Sequence, residues 1–256
     1  MLSSRLLSAA LVTALLPVAA AAQNTLSIGL GPQSAPSYFG SSENETSLTG
    51  AFSIQELNFG PLSLGGSEGG TAQGFGFAAS VRFIGERSGA EYSELAGTET
   101  IDAALELGGG LTYTADNFYV FALARKGVTG HDALVGELGA DAIYRPSAPV
   151  ELRVGPRFFF GDDEYAQQYF GVTAAEAAEA AEAGNGNTLT AYNAKGGLLS
   201  QGIEASASYA FSEDWGLTGT VRYEEFANDA ADSPIVQQGS DNATTASVLV
   251  TRRFSF

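Results

Sequence analysis

The chain ends on "SVLVTRRFSF". Here Ala246, Val248, Val250, Arg252, Phe254 and Phe256 alternate with Ser247, Leu249, Thr251, Arg253 and Ser255. A period of two marks a β-strand with one apolar and one mostly polar face. The pattern recurs upstream. Ile101, Ala103, Leu105, Leu107, Gly109, Leu111 and Tyr113 alternate with Asp102, Ala104, Glu106, Gly108, Gly110 and Thr112. Val150, Leu152, Val154, Pro156, Phe158 and Phe160 alternate with Glu151, Arg153, Gly155, Arg157 and Phe159. Two more runs, Ile203 to Phe211 and Trp215 to Tyr223, behave in the same way. Segments 47–57, 73–85 and 131–145 alternate less cleanly, 25–31 is short, and 117–129 is ambiguous in phase.

Alternation fits a soluble sandwich or a membrane barrel, and the polar face separates them. That face carries Gly, Ser and Thr with charges of both signs, among them Arg82, Glu106, Glu137, Asp141, Arg153, Arg157, Glu204 and Arg222. Small residues and balanced charges suit the inside of a narrow barrel, with Arg153, Arg157 and Arg222 expected to pair with Glu106, Glu137, Asp141 and Glu204. The other face is apolar, with aromatics near segment ends (Tyr113, Tyr209, Phe211, Trp215, Phe254, Phe256), as in an interfacial girdle. Arg252 is the exception on that face, and its place near the chain end limits the cost to about 0–1 kcal/mol, against about 2–4 at mid-bilayer.

Loop lengths give the orientation. The turns 114–117, 146–149 and 212–214 are tight, whereas 32–46, 86–99, 162–197 and 228–241 are long. Short periplasmic turns and long outer loops are the habit of outer-membrane barrels. The fold expected is therefore an all-β, transmembrane antiparallel barrel of about ten strands: 25–31, 47–57, 73–85, 100–114, 117–129, 131–145, 150–161, 198–211, 215–227 and 242–256. Residues 58–72 are then the one long periplasmic connection, with an apolar edge at Phe59, Leu62 and Leu64. A twelve-strand alternative carves extra strands from "PLSLGG" and its surroundings.

Composition supports export. "MLSSRLLSAALVTALLPVAAAA", residues 1–22, has a basic start at Arg5, an apolar run and a small-residue cleavage site, as a signal peptide does. The mature domain would be 23–256, with 11 basic and 29 acidic residues, net −18, and no cysteine. After residue 22 no apolar run approaches the roughly 18 residues of a spanning helix.

Catalytic raw material is scarce. His131 is the only histidine and lies in a tight outer turn, "GVTGHDALVG", where it is expected to be solvated. Zinc has no cysteine or second histidine to hold it. "GGG" at 108–110 lies mid-strand with no helix after it, so it is no phosphate cradle. Asp162-Asp163-Glu164 lacks the glycine spacing of a calcium loop and is expected to be a solvated loop. No catalytic, cofactor or metal residue is assigned. "TAAEAAEAAEAG", 173–184, predicts one short loop helix with a capping box at Thr173 and Glu176. It is either a cover for the barrel mouth or an acidic lid that gathers cations. The four long loops hold 15 of the 29 acidic residues, which argues against nucleic acid as a partner.

Three stretches exceed generic barrel character: "PSYFGS" (36–41), "DDEYAQQYFGV" (162–172) and "ADSPIV" (231–236). Their order and placement resemble the MipA/OmpV family of outer-membrane proteins, whose patterns contain P-x-Y-x-G-S, YFGV and a late D-S-P-I-V. The Ala/Glu-rich insertion after YFGV departs from the family pattern. The resemblance implies a non-enzymatic barrel set in outer-membrane lipid, acting as a scaffold between a lytic transglycosylase and a murein synthase. It also leaves open an osmotically regulated or adhesive surface protein. A small passive pore or uptake channel is the competing class, although ten strands leave scarcely any room around paired arginines.

Overall fold

The structure is a computed structural model that describes residues 25–59, 62–64, 73–183 and 189–255, with no side-chain detail for 53–59 and 62–64. Its strands are β1 (Thr25–Pro36), β2 (Asn44–Phe59), β3 (Leu62–Leu64), β4 (Gly74–Ile84), β5 (Ala104–Thr114) and β6 (Phe118–Thr129). They continue as β7 (Leu134–Ser147), β8 (Val150–Gly161), β9 (Gly197–Ala210), β10 (Trp215–Phe226) and β11 (Asn242–Ser255). All belong to one sheet ordered β3-β2-β1-β11-β10-β9-β8-β7-β6-β5-β4, in which every neighbouring pair is antiparallel. The ends of the order, β2 and β3 on one side and β4 on the other, come close together, so the sheet curls round. No ladder joins them among the described residues. The signal-peptide stretch and Phe256 lie outside the described residues.

Ten long strands are present, as the alternation predicts, and "PLSLGG" adds only the three-residue β3, paired with Leu57 to Phe59. The connection 58–72 is therefore partly strand, because β2 runs through Phe59, which pairs with Leu62 of β3. Its remainder, 60–61 and 65–72, lies outside the described residues. The first hairpin is longer than expected and its loop shrinks to 37–43. Pro32, placed in the first loop by the 25–31 strand, lies in β1 and pairs with Leu48 of β2. The ladder to β11 goes from Leu30↔Val250 to Gln33↔Ser247 with no pair between, so the missing N–H of Pro32 falls where no bond is made.

The strands cross the membrane. Leu30, Phe77, Val81, Leu107, Leu111, Val154, Ile203, Val221 and Val248 all point outward and are exposed. A continuous apolar wall of this kind is covered by hydrocarbon rather than water. No helix among the described residues is long and apolar enough to cross. Phe75, Tyr113 and Phe118 touch in series at the periplasmic rim, with ring centroids 5.0 and 5.7 Å apart, and Trp215 and Phe254 continue the girdle. In β6 the phase resolves with Tyr119 and Arg125 inside and Phe118 and Val120 outside. Inward aromatics are what blur its pattern.

The apolar core lies at the outer end, not in the wall. Two clusters hold most of the buried apolar side chains, and both are built chiefly from the outer loops. Among the described residues three α-helices stand there rather than one: α1 (Asp163–Phe170), α2 (Ala174–Ala183) and α3 (Pro234–Gln238). α1 escapes sequence detection because its eight residues are polar on average, and only Tyr165, Ala166, Tyr169 and Phe170 turn inward.

Candidate functional site

The barrel lumen is crossed by a ladder of ion pairs. Arg125 meets Glu106 at 3.0 Å and Glu137 at 3.1 Å. Glu137 meets Arg222 at 2.6 Å, and Arg222 meets Glu204 at 2.9 Å. Glu204 meets Arg157 at 2.9 Å, and Arg157 ends the chain on Asp141 at 2.7 Å. Arg82 reaches Glu106 from above at 3.8 Å. Four guanidinium groups thus meet four carboxylates, which offsets much of the desolvation that a single charge would suffer there.

The expected pairs form for Arg157 and Arg222, but two other expectations need correction. Arg153 does not join the ladder: it pairs with Glu151 at 2.7 Å, one inward position nearer the periplasm, and lies over the Tyr119 ring. Glu106 takes Arg125 instead, a residue hidden by the unclear phase of β6. The inward rings of β6 serve the arginines, since Arg157 rests on Phe121 with 5.2 Å to its centroid.

His131 is not solvated. Its side chain is fully buried, with Nε2 3.4 Å from Glu106 Oε1. Its Nδ1 accepts from the Ala133 N–H at 3.2 Å. Tyr165 and Tyr169 set their rings edge-on against it. The turn can fold inward because position 127 is glycine: a Cβ there would come within 2.4 Å of the imidazole.

Above the ladder sits a cap in which the three distinctive stretches meet. From "PSYFGS", Phe39 packs on Tyr169 and Phe170 at 5.3 and 5.8 Å, and the Tyr38 hydroxyl donates to Glu94 at 2.9 Å. Gly40, at φ +93°, lies under Val236 of "ADSPIV", where a Cβ would be 2.9 Å from the Val236 side chain. From "ADSPIV", the Ser233 hydroxyl donates to the Phe170 carbonyl at 2.6 Å and caps α3 by accepting from Ile235. Asp162 is no solvated acid: one oxygen caps α1 at Tyr165 N, the other accepts from Leu134 N at 2.7 Å. Asp163 accepts from Gly196 N at 2.8 Å. Two of the three acids in that run thus close loop backbone rather than wait for a cation.

Arg87, buried in the loop after β4, donates to the Tyr169 carbonyl at 2.8 Å. Burial lowers its pKa to about 10, with Glu176 opposing, so it stays charged at neutral pH. Burial pushes Tyr169 up to about 12, and raises Tyr165 and Tyr38 as well. These phenols are neutral at physiological pH, not proton shuttles; the Tyr38 and Tyr165 hydroxyls are hydrogen-bonded, whereas that of Tyr169 is buried without a partner. Cap and ladder touch where Arg82 stacks on Phe159 and Phe39 and reaches the Tyr165 hydroxyl at 3.4 Å.

α2 completes the cover. Its capping box forms as expected, with Glu176 N donating to Thr173 Oγ1 at 3.2 Å and Thr173 N to Glu176 at 2.8 Å. Glu176 also accepts from Glu99 N at 3.0 Å, tying α2 to the neighbouring loop. Burial acts to raise the Glu176 pKa, but these N–H donors from Thr173 and Glu99 outweigh it and hold the carboxyl below 4.5. A depressed folded pKa gives stability that is present above 4.5 and lost as pH falls through the folded value. Acidification from 4.5 downward through the lowered folded value should therefore loosen α2 and raise hydrogen exchange at 173–183. Glu176→Gln keeps an acceptor oxygen but does not titrate, so it should lose that part of the dependence; an unchanged profile would refute the link.

The family model described as MltA-interacting protein MipA matches residues 28–254. No curated protein matches the chain. Among solved structures it is similar to Neisserial surface protein A, with 11% identity over 91% of this chain and 97% of that one, at a TM-score of 0.29. An outer-membrane channel from Pseudomonas putida F1 has 10% identity over 91% and 96%, at 0.44. The outer-membrane protease OmpT from Escherichia coli has 10% identity over 91% and 97%, at 0.33.

Proposed function

We propose that this chain, which belongs to the MltA-interacting protein MipA family, is a non-enzymatic scaffold that holds a lytic transglycosylase at the periplasmic side of the outer membrane. The protein itself is an outer-membrane β-barrel. In this proposal residues 1–22 are the export signal and 23–256 the working domain. The observation that carries it is the obstructed lumen: four guanidinium groups and four carboxylates span it through seven ion-pair contacts, and a packed cap stands over its outer end. A passive pore needs a continuous aqueous path, and an adhesin needs no such internal bracing. A wall stiffened from within suits a platform. The family description supplies the partner class, and the neutral phenols around His131 offer no activated nucleophile or base.

The test pairs two measurements. Crosslinking in intact envelopes, followed by pull-down of the full chain, should recover a lytic transglycosylase, with a murein synthase in the same complex. Planar-bilayer recordings should show little conductance for the wild type, rising when Arg157 and Arg222 are both replaced by Ala. Large steady wild-type channels with no captured enzyme would support the pore instead.

A further inference from the structure

The geometry points to Arg252 as a binding site for the phosphate group of a phospholipid in the periplasmic leaflet. Arg252 is on the outer, lipid-facing side of β11, in phase with Val248, Val250 and Phe254. It pairs across the sheet with Trp215, the first residue of β10, so it lies level with the periplasmic turns, at headgroup depth. Its guanidinium carbon is 5.2 Å from the Trp215 ring centroid and 4.9 Å from that of Phe254.

Those contacts hold the cation without using its donors. Aromatic rings attract a guanidinium through its face, and the five N–H groups lie in the plane. Among the described residues none of these donors has a protein acceptor, and no carboxylate pairs with Arg252, although Glu213 and Asp214 occupy the adjoining turn. The other cation on the outer wall is treated differently: Lys126, at the opposite rim, is paired with Asp132 at 3.1 Å. A planar fork held by rings at headgroup depth matches the two free oxygens of a phosphodiester. Arg252, an anomaly on an apolar face, thus becomes the polar half of a lipid clamp whose apolar half is Trp215 and Phe254.

Trp215 is the only tryptophan in the chain, so its fluorescence reports this site alone. The full protein, refolded in phosphate-free maltoside micelles, is titrated with dihexanoyl-phosphatidylglycerol while Trp215 emission is followed. A saturable change is expected, weakened about tenfold by Arg252→Gln, the loss of one charge-assisted bidentate contact. Arg252→Lys should fall between the two, keeping charge but not the fork. The gel shift on heating shows whether each variant is folded; should Arg252→Gln fail to assemble, Arg252→Lys carries the test. Dihexanoylglycerol, which lacks the phosphate, should give no saturable response. Overlapping curves for wild type and variants, or an equal response to dihexanoylglycerol, would overturn the proposal. Inorganic phosphate acting as strongly as the lipid would overturn the lipid source and leave a free-anion site.

Discussion

Replacing Glu106 with alanine should destabilise the barrel by about 3–5 kcal/mol, the range for removing one partner of a buried ion pair. Glu106 is fully buried and is approached by three cationic or potentially cationic groups: Arg125 at 3.0 Å, His131 at 3.4 Å and Arg82 at 3.8 Å. Arg125 would keep Glu137, but Arg82 would have no ion pair left within reach. Urea unfolding of the refolded barrel, followed by Trp215 emission, measures the loss. Adding Arg125→Leu to Glu106→Ala should recover part of it, since an apolar pair is tolerated where a lone charge is not. A double variant as unstable as the two single losses added together would show that the ladder does not act as a coupled unit.

Phe170→Ala should cost about 3–5 kcal/mol as well, but within the cap and not in the wall. Phe170 is almost wholly buried between Phe39 and Phe226, and its carbonyl receives the Ser233 hydroxyl. Truncating it removes the contact by which α1 joins the loops before and after it. The cap shares few buried side chains with the membrane-facing wall, so the barrel should still resist unfolding while the loops open locally. Limited proteolysis should cut within 162–196 or 227–241 many times faster than in the wild type, with the heat-modifiable gel shift retained. Loss of that shift would show that cap and wall fold as one.

The wall was legible in the sequence because its rule is simple. Outward residues such as Leu107, Val154 and Val221 and inward ones such as Glu106, Arg157 and Arg222 alternate with the pleat. The phase failed only in β6, where Tyr119 and Phe121 point inward as platforms for arginines and so imitate lipid-facing residues. The cap was nearly invisible. Its parts come from loops far apart in the chain, and no local pattern states that Phe39, Phe170 and Val236 share one core. The three distinctive stretches marked these residues as special without saying why; convergence in one cap gives the reason. His131 was misread for the same cause, since a turn looks solvated until α1 is laid over it.

β1 and β11 lie side by side in the sheet, Leu26 opposite Phe254 and Gln33 opposite Ser247. Their partners stand more than two hundred positions apart, whereas β5 to β8 and β9 to β11 succeed one another as hairpins. Neighbouring hairpins can zip locally, but the β1–β11 ladder must wait for the last residues of the chain. Closing so long a loop carries an entropy cost that grows as the logarithm of its length, about 0.6 kcal/mol for each doubling. Rate and not equilibrium is where this topology weighs most, because distant pairings slow a fold more than they weaken it. Until β11 pairs, one edge of β1 stays open, and a folding chain in that condition is open to wrong partners.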